Sequence, residues 1–167
     1  FIIEATQENV ENDRLAEVVK LVNSEFADKE IVSAEPFTMV YGMREDMTPA
    51  DVLIVLDTEN PICEESDSDE AYRIEIGDNG AVLTAASENA VMYGLRTIQT
   101  MMISNGNLVY GTFIDYPDVA ERRLHVDCAR KYISKDWFIR QIREMSYMKM
   151  NTLQMHFSEN LGFRIEC

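Results

Sequence analysis

Cysteine is scarce and unpatterned in this chain. Cys63, Cys128 and Cys167 form an odd set with no CxxC pair and no metal-type spacing. They point to neither a disulfide framework nor a zinc site, and nothing else in the sequence calls for a metal or cofactor. No apolar run reaches 18 residues, so membrane insertion through a helix is not expected. The sequence has no Asn-x-Ser/Thr triplet, which disfavours a glycosylated eukaryotic lysosomal or secreted protein. Basic residues are also few. Fifteen Lys/Arg stand against 30 Asp/Glu, a net charge of −15. That balance argues against nucleic-acid binding, which needs a basic surface, and against adsorption to anionic lipid. There is no repeat and no low-complexity linker. The first residue is Phe1 rather than Met, so the chain reads as a piece of a longer protein, and the lack of a leader excludes little.

What is present divides unevenly. Residues 1–120 hold 6 Lys/Arg and 24 Asp/Glu, whereas residues 121–167 hold 9 and 6. The sign of the charge changes near Glu121, which suggests a boundary. A length of 167 residues suits one domain, or one small domain and part of another.

Apolar spacing predicts the elements. Leu15, Val18, Val19, Val22 and Phe26 form one stripe of a helix over 8–28. Val52 to Leu56 is a buried strand, and residues 58–70 an acidic loop. Tyr72, Ile74 and Ile76 alternate with polar residues. Asp78-Asn79-Gly80 then turns the chain into a return strand at Ala81–Ala85. Ser87 caps a helix that runs to about Met102, and Leu108–Ile114 is a further strand. The first 120 residues thus predict an α+β layer, an antiparallel sheet with two helices on one face.

The last 47 residues change style. A strand (Leu124, Val126) ends in Asp127 and Arg130. An amphipathic helix follows over 134–150, and a second strand ends in His156 before Ser158-Glu159-Asn160. Parallel folds place binding chemistry at the C-terminal ends of strands. A guanidinium there offers a planar fork for paired hydroxyls or a carboxylate, though Asp127 and Arg130 also read as a structural pair that ties the loop down. His156 and Glu159 are candidates of the same kind. His125, inside the first strand, reads as pointing outward or satisfied in packing, and not as a site residue. Trp137, Met145, Tyr147, Met148 and Met150 have core spacing, and the acidic run from Glu64 to Glu70 lacks the pattern of a calcium loop.

Taken in order, the segments Arg122-Arg123-Leu-His-Val-Asp127-x-x-Arg130, Lys149-Met-Asn151-x-x-x-x-His156-Phe-Ser-Glu159-Asn and Gly162-Phe-Arg164 resemble the start of the catalytic barrel of family 20 glycoside hydrolases, the β-N-acetylhexosaminidases. Upstream, Tyr93-Gly94-Leu95-Arg96-Thr97-Ile98 and Ile114-Asp115-Tyr116-Pro117 are similar, more weakly, to that family's small accessory domain and the junction after it. The resemblance implies an accessory domain over 1–118 and the first β-α-β of a truncated (β/α)8 barrel over 119–167. It implies a parent that hydrolyses terminal β-linked N-acetylhexosamine from glycans by substrate-assisted retention, and that is secreted or on the cell surface, from a bacterium. By position, Arg130 matches the arginine that binds hydroxyls of the terminal sugar. Asp127 shapes its loop, His156 lies near the site, and Glu159 matches an acidic residue that orients a catalytic histidine elsewhere. The family's adjacent Asp-Glu pair falls after the fourth barrel strand, so no catalytic residue is expected here. Three departures stand out: Arg123 in place of glycine, Gln154 in place of the first His of an H-x-H pair, and Glu159-Asn160 in place of Asp-Asp. A lacto-N-biosidase-type member, or a non-catalytic carbohydrate-binding or interaction module, is the other reading. An unfinished barrel also predicts that the chain either self-associates through residues 121–167 or leaves part of that segment mobile.

Overall fold

The structure is a computed structural model that describes residues 1–28, 37–59, 62–64, 66–160 and 162–163. The chain divides into two compact units, Phe1–Pro117 and Asp118–Cys167.

The first unit holds β1 (Ile2–Glu4), α1 (Gln7–Glu11), α2 (Asp13–Asp28), β2 (Val40–Gly42), β3 (Val52–Leu56), β4 (Tyr72–Gly77), β5 (Gly80–Ala85), α3 (Glu88–Asn105) and β6 (Gly111–Asp115). Its six strands form one sheet in the order β2-β1-β3-β5-β4-β6. The sheet is mixed, which corrects the antiparallel expectation. β4 pairs antiparallel with β5 and β6, whereas β2, β1, β3 and β5 run parallel. The tight turn at Asp78-Asn79 sets only its own hairpin. Parallel pairing depends on strands distant in sequence, and two of them, β1 and β2, have three residues each.

One register row explains the core. Tyr41, Ile3, Ile54, Leu83, Ile74 and Phe113 lie side by side across all six strands. Ile3, Ile54, Leu83 and Ile74 are wholly enclosed. They join Leu15, Val19, Val22 and Phe26 of α2 and Val91, Leu95 and Ile98 of α3 in a single cluster. Full burial of each such side chain contributes roughly 1.5–3 kcal/mol, so this helix-covered face dominates the stability of the unit. The predicted helix over 8–28 is two helices. Asn12 breaks it, because its side-chain Oδ1 accepts from Leu15 N (2.9 Å) and caps α2. Ser87 caps α3 as expected, accepting from Ala90 N at 3.2 Å. At Gly94 a Cβ would lie 2.3 Å from Leu83 Cδ1, so only glycine lets α3 approach the sheet this closely.

The second unit holds β7 (Arg123–Asp127), α4 (Lys135–Tyr147), β8 (Thr152–His156) and a short hairpin of β9 (Ser158–Glu159) and β10 (Gly162–Phe163). β7 and β8 pair in parallel, with Asp127 beside His156 at their C-terminal ends. Ser134 caps α4, and Met145 is buried, whereas Met148 and Ile142 are exposed. Arg164, Glu166 and Cys167 lie outside the described residues.

Candidate functional site

Pleating puts Arg123, His125 and Asp127 of β7 on one strand face, with Thr152, Gln154 and His156 of β8 beside them in register. The four residues singled out from sequence meet at the top of this face. Asp127 Oδ1 accepts from Ala129 N (3.1 Å) and Arg130 N (3.3 Å), which curls the chain back after β7. Asp127 Oδ2 accepts from Arg130 Nε in a short ion pair. That hydrogen bond holds the Asp127 carboxyl below its usual range and raises the guanidinium in turn. Glu159 Oε1 lies 4.0 Å from Arg130 Nε and 3.9 Å from His156 Nε2. One carboxylate therefore faces both a guanidinium and an imidazole. The Arg130 side chain is 71% exposed, leaving its fork open to a hydroxylated ligand.

Sequence reasoning set His125 aside. Its ring lies 6.0 Å from that of His156 and on the same face. The strand alternation that placed Leu124 and Val126 opposite Asp127 contained that signal. The structural reading of Asp127 also holds, since it both ties the loop and grips the arginine.

Two supports were not assigned from sequence. Arg122 donates from Nε to Lys149 O (2.6 Å) and from Nη1 to Val119 O (2.8 Å). Asn151 accepts from Arg122 N (3.0 Å) and donates to Ala120 O (2.7 Å). Together they join the N-terminal ends of β7 and β8. Higher up, Cys128 N donates to His156 O at 3.1 Å. At Gly162 a Cβ would meet Ala129 O at 2.4 Å, so the β9–β10 hairpin rests directly on the Arg130 loop. Both glycines of the resembling motifs are thus positions with no room for a side chain.

In the first unit, a groove of about 500 Å³ lies beside the β4–β5 turn, lined by Arg44, Met47, Glu75, Asp78 and Thr112 among others. It contains none of the candidate residues. No group of three or more His, Cys, Asp and Glu able to hold a metal occurs among the described residues, and no helix there is long and apolar enough to cross a membrane.

Solved structures of other proteins share this fold. The structure of a GH20 β-N-acetylhexosaminidase from Streptomyces coelicolor A3(2) superposes with a TM-score of 0.70 at 21% identity, covering 98% of this chain and 31% of that one. A Streptomyces plicatus β-hexosaminidase with bound GlcNAc product gives 0.70 at 20% identity, with the same coverage. The model of the glycosyl hydrolase family 20 catalytic domain matches residues 121–167. Among curated relatives, β-hexosaminidase B of Pseudoalteromonas piscicida is 27% identical over 95 residues, 56% of this chain and 12% of its own length. The N,N'-diacetylchitobiase of Vibrio harveyi is 30% identical over 98 residues, 58% of this chain and 11% of its own. The chain therefore spans only about a tenth of these two relatives.

Proposed function

We propose that this chain is a segment of a β-N-acetylhexosaminidase, with an accessory domain in its first unit and the first β-α-β of a (β/α)8 barrel in its second. The parent removes terminal β-linked N-acetylhexosamine from glycans. The observation that carries the reading is the convergence of Asp127, Arg130, His156 and Glu159 at the C-terminal ends of two parallel strands, the edge where barrel enzymes hold substrate.

In this reading Arg130 grips hydroxyls of the terminal sugar through its planar fork, and Asp127 fixes both its loop and its charge. Glu159 holds its carboxylate between Arg130 and His156. Its further role is to orient a histidine contributed by a later part of the barrel. The reaction follows the substrate-assisted course: the 2-acetamido carbonyl attacks the anomeric carbon, an Asp orients that amide, and a neighbouring Glu serves as acid and then base. Residues 119–167 contain no adjacent Asp-Glu pair, so this segment alone is inactive. The parent is secreted or at the surface of a bacterial cell.

Turnover of a chromogenic N-acetylglucosaminide tests both parts. The chain alone gives none above a blank. In the whole enzyme Arg130→Ala lowers kcat/KM on the order of 10²–10³-fold, and Arg130→Lys, which lacks the fork, recovers little of it. A near-normal kcat/KM in either variant would remove Arg130 from the site.

A further inference from the structure

Arg123 and Gln154 were noted above as separate departures from the family pattern. In the structure they are partners. Arg123 Nη1 donates to Gln154 Oε1 at 2.7 Å, reaching diagonally from β7 to β8. The other arm of the same guanidinium lies 2.5 Å from Glu121 Oε1, and this bond holds the Glu121 carboxyl below its usual range. Gln154 is two residues before His156 and on the same strand face. The polar face thus carries two cross-strand links. The lower runs Glu121–Arg123–Gln154, and the upper runs His156–Glu159–Arg130–Asp127.

Arg122 and Asn151 tie the N-terminal ends of this parallel pair, but few enclosed side chains fix its register further up. A slip of one residue would turn His156 to the other face. A glutamine held by a guanidinium specifies one register, because the planar fork and the amide oxygen meet in only one alignment. We infer that Arg123 is a positioning residue: acting through Gln154, it sets the height of β8 against β7 and so holds His156 and Glu159 at the level of Arg130. The two departures thus act as one hydrogen-bonded pair. This role rests on the proposed function only in its last step, from geometry to sugar binding.

Cys128 reports on the geometry without any sugar. The residue is 4% exposed, and its Sγ lies 3.4 Å from His156 O, between the two strand tops. Iodoacetamide labelling of the whole chain, read at the Cys128 peptide by mass spectrometry, measures how often those tops part. Arg123→Ala and Gln154→Ala each speed labelling by about tenfold, and the double variant is no faster than either. Cys63, buried in the first unit, serves as the internal control and keeps its own rate. Gln154→Glu still accepts from the guanidinium and retains protection. Unchanged labelling in either alanine variant, additive effects in the double, or loss of protection in Gln154→Glu overturns the inference. In the whole enzyme the same variants raise KM in step with labelling. An unmoved KM where Cys128 has become exposed would overturn the link to the site while leaving the pair intact. Loss of the proposed activity altogether would not affect the labelling result.

Discussion

In residues 1–117, side chains from four strands (β1, β3, β4 and β5) and two helices meet in one enclosed apolar cluster. Among the described residues of 118–167 the buried apolar groups are Val126, Cys128, Ala129 and Met145. There the alignment of β7 and β8 falls to polar links: Arg122 to Lys149, Asn151 to Arg122 and Ala120, Arg123 to Gln154, and Arg130 to Glu159. Apolar burial is strong and has little direction. Hydrogen bonds have direction, but each contributes only about 0.5–1.5 kcal/mol net. The first unit therefore carries stability, and the second carries geometry. Even the buried polar groups follow this division. Arg96, enclosed in the first unit, pairs with Glu25 and Gln99. The Tyr72 phenol, pushed up by burial and by its bond to Asp115, stays protonated as a structural donor.

The largest test separates the units. Residues 1–117 alone should show a cooperative thermal transition, because the core cluster lies wholly within them. Residues 118–167 alone should show none by circular dichroism. A cooperative transition in the second piece would erase the contrast.

Next in size is the buried ion pair. Glu25→Ala leaves Arg96 charged in the interior, at a cost of about 3–5 kcal/mol in chemical denaturation. A loss of under about 1 kcal/mol, as for an exposed pair, would mean that Arg96 finds water. Smaller again is Gly94→Ala. The added methyl collides with Leu83 in the enclosed row, at about 1–3 kcal/mol, offset by the roughly 1 kcal/mol better helix propensity of alanine. Net stabilisation would show that Leu83 can move aside.

The smallest effect sharpens the other side of the comparison. Arg130→Ala should leave the thermal midpoint of the first unit unchanged and act on the Asp127 carboxyl. Because Arg130 favours the charged form, the Asp127 midpoint lies below the ordinary 3.8. The contribution of the pair is therefore complete above that ordinary value and is lost as the pH falls through the depressed one. Carbon-detected NMR titration should show the Asp127 midpoint rise in Arg130→Ala. A midpoint that does not move would place the cause of the shift elsewhere in the loop.

The same contrast explains what could be read from sequence. Strands and helices with strong local patterning were legible: Val52–Leu56 and Thr152–His156 match the predicted runs, the cap at Ser87 marks a true helix start, and the helix expected from about residue 134 begins at Lys135. Short strands without alternation were not. Ile2–Glu4 and Val40–Gly42 become strands only because the sheet recruits them, and without them its parallel half was invisible. Asp127, Arg130, His156 and Glu159 were legible by resemblance. The links Arg122–Asn151 and Arg123–Gln154 were not, since cross-strand register follows from pairing that no local pattern encodes. Arg123 and Gln154 looked like two unrelated losses.

The seat that Gly162 provides for the Arg130 loop has a consequence in time. A ribosome delivers the loop first and its seat roughly thirty residues later, a lag of a few seconds at about 5–20 residues per second. For that interval Arg130 is on a nascent segment whose seat has not yet been made. Assembly of this part of the site is therefore completed by the hairpin and not by the strand that bears the arginine.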